Sequence, residues 1–197
     1  MTLAWLGPLI AFALVTCGTP GPNNMLLTAA GANLGFRKGL PLLFSVVTGL
    51  NLIILATALG LGVLITSRPA LASGLKTAGS LYLLWLALKL ARAGMPGERS
   101  VSEMPRWHQA ALAQLLNPKG WFMALSAVSG FARPSPLYWT SALSILGVFW
   151  AAGILTGAFW LLFGASVRRF LKTPAAWRTF NLTMGVLTAG CIAMVWV

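Results

Sequence analysis

The chain is nearly without acid. Its 197 residues hold two carboxylates, Glu98 and Glu103, and no aspartate, against 14 lysines and arginines. Charged residues make up 8% of the sequence, where a globular domain is about a quarter charged. That shortage excludes an ordinary soluble domain. Histidine occurs once, as His108, and cysteine twice, as Cys17 and Cys191. Divalent-metal centres are built from clusters of His, Cys and carboxylate, so no metal site and no cofactor is expected. No H-E-x-x-H, Ser–His arrangement or acid–base pair within the membrane is present, so an enzyme is not expected and no residue is assigned a catalytic role. Cys17 and Cys191 lie in apolar stretches without C-x-x-C spacing and read as small packing residues. His108 falls at a loop–membrane boundary and reads as a surface residue.

Apolar sequence fills the space that charge leaves. Hydrophobic residues reach 58% and the mean hydropathy is +0.82. Six runs, about 2–32, 38–66, 70–91, 108–131, 136–166 and 176–197, are long enough to cross a hydrocarbon core of about 30 Å. The first has neither a basic leading region nor an A-x-A cleavage site, so it reads as a membrane helix rather than a secretory signal. The expectation is an all-α integral membrane protein of six transmembrane helices, one domain over 1–197.

The net charge of +12 suggests a nucleic-acid footprint, but its distribution argues against one. Arg37 and Lys38 fall in loop 1, Arg92, Arg99 and Arg106 in loop 3, and Arg168, Arg169, Lys172 and Arg178 around loop 5; the opposite side shows Arg68, Lys76 and Arg133. This is the positive-inside pattern. It predicts loops 1, 3 and 5 in the cytoplasm, both termini outside, and basic residues at anionic headgroups of the bilayer. Trp5, Trp107, Trp139, Trp177 and Trp196 fall near segment ends, where an aromatic belt would lie.

Two of the six segments are broken. Thr19-Pro20-Gly21-Pro22-Asn23-Asn24 interrupts helix 1, and Asn117-Pro118-Lys119-Gly120 interrupts helix 4. Unpartnered backbone groups in hydrocarbon cost several kcal/mol each, so broken helices survive only inside protein or beside a water-filled cavity. Similar features recur between the halves at an offset of about 95 to 105 residues: a Pro/Asn break, a Phe-Arg turn (Phe36-Arg37 and Phe131-Ala132-Arg133) and an Arg/Pro connector. Three spans per half would insert the second half upside down. The sequence thus predicts two inverted three-helix repeats, about 1–92 and 108–197, joined by a cytoplasmic loop at about 92–107. In such folds paired broken helices mark a transport site near the midplane. Gly153-x-x-x-Gly157 fits close helix packing, within the bundle or in a dimer, so a homo-oligomer stays open.

The breaks carry the candidate chemistry. Pro20 and Pro22 cannot donate to the carbonyls of Thr16 and Gly18, and Pro118 leaves that of Gln114; these oxygens are expected to be free acceptors. Half-helices starting near Asn23 and Asn117 aim unpaired N–H groups and positive dipole ends into the gap. Asn23 and Asn24 add carboxamides, Asn117 suits an N-cap, Pro118 the first helical position, and Gly120 follows. Lys119 is the one charge placed well inside a segment, and such a residue should face a cavity or a partner. Pro20, Gly21, Pro22, Asn23, Asn24, Asn117, Pro118, Lys119 and Gly120 are therefore the expected substrate-binding residues. A cation and helix N-termini suit a carboxylate; free carbonyls suit an ammonium. A small zwitterionic amino acid has both. Ser126, Ser129, Tyr82, Asn51 and Trp150 are candidates to shape the pocket.

Thr19–Asn24, Gly35-Phe36-Arg37-Lys38-Gly39, Ala78-Gly79-Ser80-Leu81-Tyr82-Leu83-Leu84-Trp85-Leu86 and Asn117-Pro118-Lys119, in this order and spacing, resemble the LysE/RhtB family of amino-acid exporters over essentially the full chain. The resemblance implies a multi-pass carrier of the bacterial inner membrane that expels amino acids or close derivatives by proton antiport. The asparagine-rich first motif is similar to that of exporters of neutral substrates, the cysteine/O-acetylserine or homoserine/threonine type. One departure stands out: many relatives carry an acidic residue in a membrane helix, and this chain has none. That argues against a basic substrate and leaves Lys119 as the candidate proton carrier. The alternative reading is a metal or inorganic-ion carrier on a related scaffold.

Overall fold

The computed structural model describes residues 3–94, 110–111 and 114–196. Glu98, Arg99, Glu103, Arg106, Trp107 and His108, with most of the predicted loop 3, lie outside the described residues. Among those described, helices account for nearly all regular structure. α1 spans Leu3–Gly18, α2 Pro22–Leu34, α3 Phe36–Ala56, α4 Gly62–Ser67 and α5 Pro69–Ala91. After a 3-10 turn at Gln114–Leu116 come α6 (Pro118–Phe131), α7 (Tyr138–Val167), α8 (Pro174–Gly190) and the short α9 (Ala193–Trp196).

Among the described residues, three stretches are long and apolar enough to cross a membrane: Phe36–Ser67, Pro69–Ala91 and Tyr138–Phe170. Ala4–Gly18 and Pro22–Leu34 together make a fourth, bent by 60° at the first break. The remaining two predicted spans are represented by α6, 14 residues long, and by α8, 17 residues long. Both predicted interruptions are present, at 19–21 and at Asn117. A third interruption was not anticipated. The predicted second span bends at Thr57–Leu61, where a π-helical turn contains Gly60 at φ 101°, a left-handed value that glycine adopts without steric strain. Within this turn the buried Ala58 carbonyl accepts a hydrogen bond from the Tyr138 hydroxyl.

Glycine sets the closest helix crossings. A Cβ on Gly31 would lie 2.1 Å from the Leu161 carbonyl oxygen, and one on Gly164 2.0 Å from that of Thr28. α2 and α7 therefore meet backbone to backbone, a contact any side chain would prevent. Gly153 and Gly157 face Val47 and Leu43 of α3, so the G-x-x-x-G pair serves packing inside the bundle. Gly49 and Gly79 make room for the second break: a Cβ at these positions would lie 2.5 Å from Gln114 Cγ and 2.6 Å from the Leu116 oxygen.

The buried apolar residues form two clusters. One joins α1, α3, α6 and α7 around Leu9, Ile53, Ala124 and Phe149. The other joins α2, α3, α5 and α7 around Leu27, Leu43, Leu86 and Leu161. The breaks lie where one cluster gives way to the other. Trp177 lies in the first turn of α8 and is buried at 3% exposure, whereas Trp139 and Trp196 are exposed.

Candidate functional site

The two breaks come together although about a hundred residues separate them. Lys119 Nζ donates to the Thr19 carbonyl at 3.0 Å and to Thr19 Oγ1 at 2.9 Å. Asn117 Nδ2 donates to Asn23 Oδ1 at 3.3 Å. At the far end of the same helix pair, Trp5 Nε1 donates to the Phe131 carbonyl at 3.1 Å. The start of α1 thus meets the end of α6, and the end of α1 meets the start of α6: the two run antiparallel, with both breaks at one level.

Local sequence dictates each break. Gly21 is extended and Pro22 opens α2; the first backbone bond of α2 is Met25 N to the Gly21 oxygen, 2.9 Å. Asn23 and Asn24 therefore present N–H groups without an intrahelical acceptor. At the second break the Asn117 side chain accepts from Lys119 N at 3.2 Å, a regular N-cap, with Pro118 in the first turn. Gly21 lets the lysine cross: a Cβ there would lie 3.0 Å from Lys119 Nζ and 3.1 Å from its Cδ.

The carbonyls released by the prolines are not left open, which corrects one expectation. Thr19 Oγ1 donates to the Thr16 oxygen at 3.0 Å, and Trp160 Nε1 donates to that of Gly18 at 3.1 Å. The Gln114 oxygen accepts from Asn117 N at 2.9 Å. Asn24 also turns back, its Nδ2 donating to the Cys17 oxygen at 2.9 Å and the Thr19 oxygen at 2.8 Å. Asn24 and Trp160 are thus braces of the first break. Sequence reading gave Trp160 no role; its place about two turns inside the C-terminal end of α7, deeper than a belt residue, was the available signal.

A cavity with room for about 40 Å³ of water centres opens between the breaks, enough for a few waters. Gly21, Pro22, Asn23, Asn24, Asn117, Lys119 and Gly120 line it, as do Thr16, Cys17 and Thr156, which sequence reading did not assign. Leu27, Val47, Leu50 and Met123 form an apolar wall. Pro20 and Pro118 are not among the lining residues. Pro20 lies with Thr19 on the exposed edge of the break, and Pro118 packs against Gly79. A second, smaller cavity of about 10 Å³ shares Pro22, Asn23, Val46 and Asn117 and adds Tyr82 and Gln114. Between the two runs a chain of carboxamides: Asn23 to Asn117, Asn117 Nδ2 to Gln114 Oε1 at 2.9 Å, and Gln114 Nε2 to the Val46 oxygen at 3.3 Å. Ser126, Ser129, Asn51 and Trp150 line neither cavity. Ser129 bonds to Leu125 and Asn51 to Val47 within their own helices.

No acidic side chain lies among the described residues, so Lys119 meets hydroxyl, carbonyl and carboxamide groups and no fixed counter-ion there. Nor do three or more His, Cys, Asp or Glu gather among them as a metal site would require.

The chain matches the family model described as LysE type translocator over residues 14–194. It is 28% identical over 193 residues to the cysteine/O-acetylserine efflux protein of Salmonella typhimurium (strain LT2), covering 97% of both chains. The protein of the same name from Escherichia coli (strain K12) is 28% identical over 194 residues, again with 97% of each chain covered. No solved structure matches.

Proposed function

The chain belongs to the LysE type translocator family, and from that premise we propose that it exports small neutral amino acids or their derivatives, of the cysteine/O-acetylserine or homoserine/threonine kind. It is a membrane translocator and not an enzyme. The setting is a bacterial inner membrane, with loops 1, 3 and 5 in the cytoplasm and both termini outside. The chain works as one transporter domain of six spans. Two inverted three-helix repeats rock about the site and export is driven by proton antiport. The antiparallel run of α1 and α6, with both breaks at one level, supports the repeat.

One observation carries the reading: Lys119 of the second break reaches Thr19 of the first across a cavity rimmed by two helix N-termini. A cation and unpaired N–H groups converge there, which suits a carboxylate. The threonine, cysteine and carboxamide groups around them suit a small polar side chain, and the apolar wall limits its size. Expression in a host sensitive to amino-acid excess tests the reading. The wild type confers resistance to particular neutral amino acids, and resistance weakens as the external pH rises. Lys119→Ala reaches the membrane and confers none. Normal resistance with Lys119→Ala would remove the site assignment, and a profile independent of external pH would remove proton coupling.

A further inference from the structure

We propose that Lys119 is a tethered stand-in for the substrate's ammonium group, and that only a ligand bringing its own carboxylate can displace it. The inference rests on the export reading above and sharpens which molecules the site admits.

Both lone pairs of the Thr19 carbonyl are in use. A carbonyl oxygen has two lone pairs, and that of Thr19 already accepts from Asn24 Nδ2 at 2.8 Å and from Lys119 Nζ at 3.0 Å. The Thr19 hydroxyl gives its proton to the Thr16 oxygen and accepts from Lys119 Nζ at 2.9 Å. The Thr16 and Gly18 carbonyls each already accept one hydrogen bond, from Thr19 and Trp160. An incoming ammonium therefore finds the Thr19 carbonyl filled and a cation beside it while Lys119 stays in place.

Drawing Lys119 away requires an anion. None of the described side chains supplies one. A carboxylate brought by the ligand can take Lys119 Nζ, leaving the Thr19 carbonyl and hydroxyl to receive the ligand's ammonium. One cation replaces another at Thr19, and the cation released from Thr19 gains the carboxylate. A zwitterion completes this exchange; an amine without a carboxylate cannot begin it. Lys119 thus determines specificity, excluding cationic amines from a site whose acceptors would otherwise hold them. Gly21 keeps the exchange path open, because a Cβ there would press on the lysine stem and head group.

Purified protein in liposomes tests this with L-cysteine (kept reduced), L-threonine and their methyl esters. In the wild type the amino acid is transported, and an equal concentration of its ester changes that rate by less than about twofold. In Lys119→Met amino-acid transport falls about tenfold or more, as expected for a lost charge-assisted hydrogen bond, and the ester gains transport or competitive binding by a similar factor. Ester inhibition of the wild type as strong as that by the free amino acid would overturn the proposal without any variant. A correctly folded Lys119→Met that gains nothing for the ester would also overturn it. Absence of wild-type transport of either amino acid would overturn the export reading together with it, whereas the first two results leave export intact.

Discussion

The two breaks solve the same problem with opposite economies of side chain. The first has two prolines and is closed by residues from elsewhere or from its own backbone trace: Asn24 reaches back to Cys17 and Thr19, and Trp160 arrives from α7 to hold Gly18. The second has one proline and closes itself, with Asn117 as N-cap and its backbone N–H on Gln114. Because it needs no outside brace, it can send Lys119 across the gap. The first break is the receptacle; the second is the arm that reaches into it. The two breaks do not share roles, and their difference places one cation in the cavity.

Asn24→Ala tests the brace and has the largest expected effect. It leaves the Cys17 oxygen without this donor and takes one from Thr19, at about 1–3 kcal/mol for each buried group left unsatisfied. Thermal melting of the purified protein should show a marked loss of stability, accompanied by loss of export. Unchanged melting would mean that the first break holds without its asparagine.

Asn117 separates capping from cross-linking. Asn117→Ala loses the cap, about 1 kcal/mol, along with the contacts to Asn23 and Gln114. Asn117→Asp keeps an acceptor for Lys119 N but loses the amide donor, and it sets a carboxylate near Lys119. Stability of the aspartate variant should exceed that of the alanine variant, while export is impaired in both. Equal stability in the two would remove the capping account.

Trp160→Phe keeps an aromatic ring but withdraws the one indole donor to the Gly18 carbonyl, for a loss of about 1–3 kcal/mol. A smaller drop in melting temperature than for Asn24→Ala is expected. Glycine gives the finest contrast. Gly21→Ala crowds the Lys119 head group, whereas a Cβ on Gly74 of α5, which lines neither cavity, meets nothing within 4 Å. Both variants should fold, since Gly21 has an extended backbone open to any residue and Gly74 is helical. Export should fall with Gly21→Ala and persist with Gly74→Ala; the reverse order would misplace the lysine path.

Much of this was legible in the sequence for simple reasons. Apolar length and scarce charge define a membrane protein. Proline next to asparagine inside a span defines a break, and a lone lysine at that depth demands a partner. The offset between the two breaks made their pairing expected, but that Lys119 would take Thr19 as its partner was not legible, and Thr19 was not among the expected site residues. Other features lay beyond local reading. That the released carbonyls are taken depends on Trp160, which is 142 residues from Gly18, and on a threonine hydroxyl folding back one turn. The bend at Gly60 was hidden because Gly60-Leu61-Gly62 also suits helix packing. Thr16, Cys17 and Thr156 resemble the helix residues around them, and only the crossing of α1, α2 and α7 turns them toward the cavity.

Calorimetric titration of neutral amino acids into purified wild type and Lys119→Gln, with folding checked by melting, decides whether Lys119 holds the substrate carboxylate. Micromolar-to-millimolar binding to the wild type should weaken about tenfold or more in the variant. Equal affinity in the two proteins would contradict a carboxylate site built on Lys119.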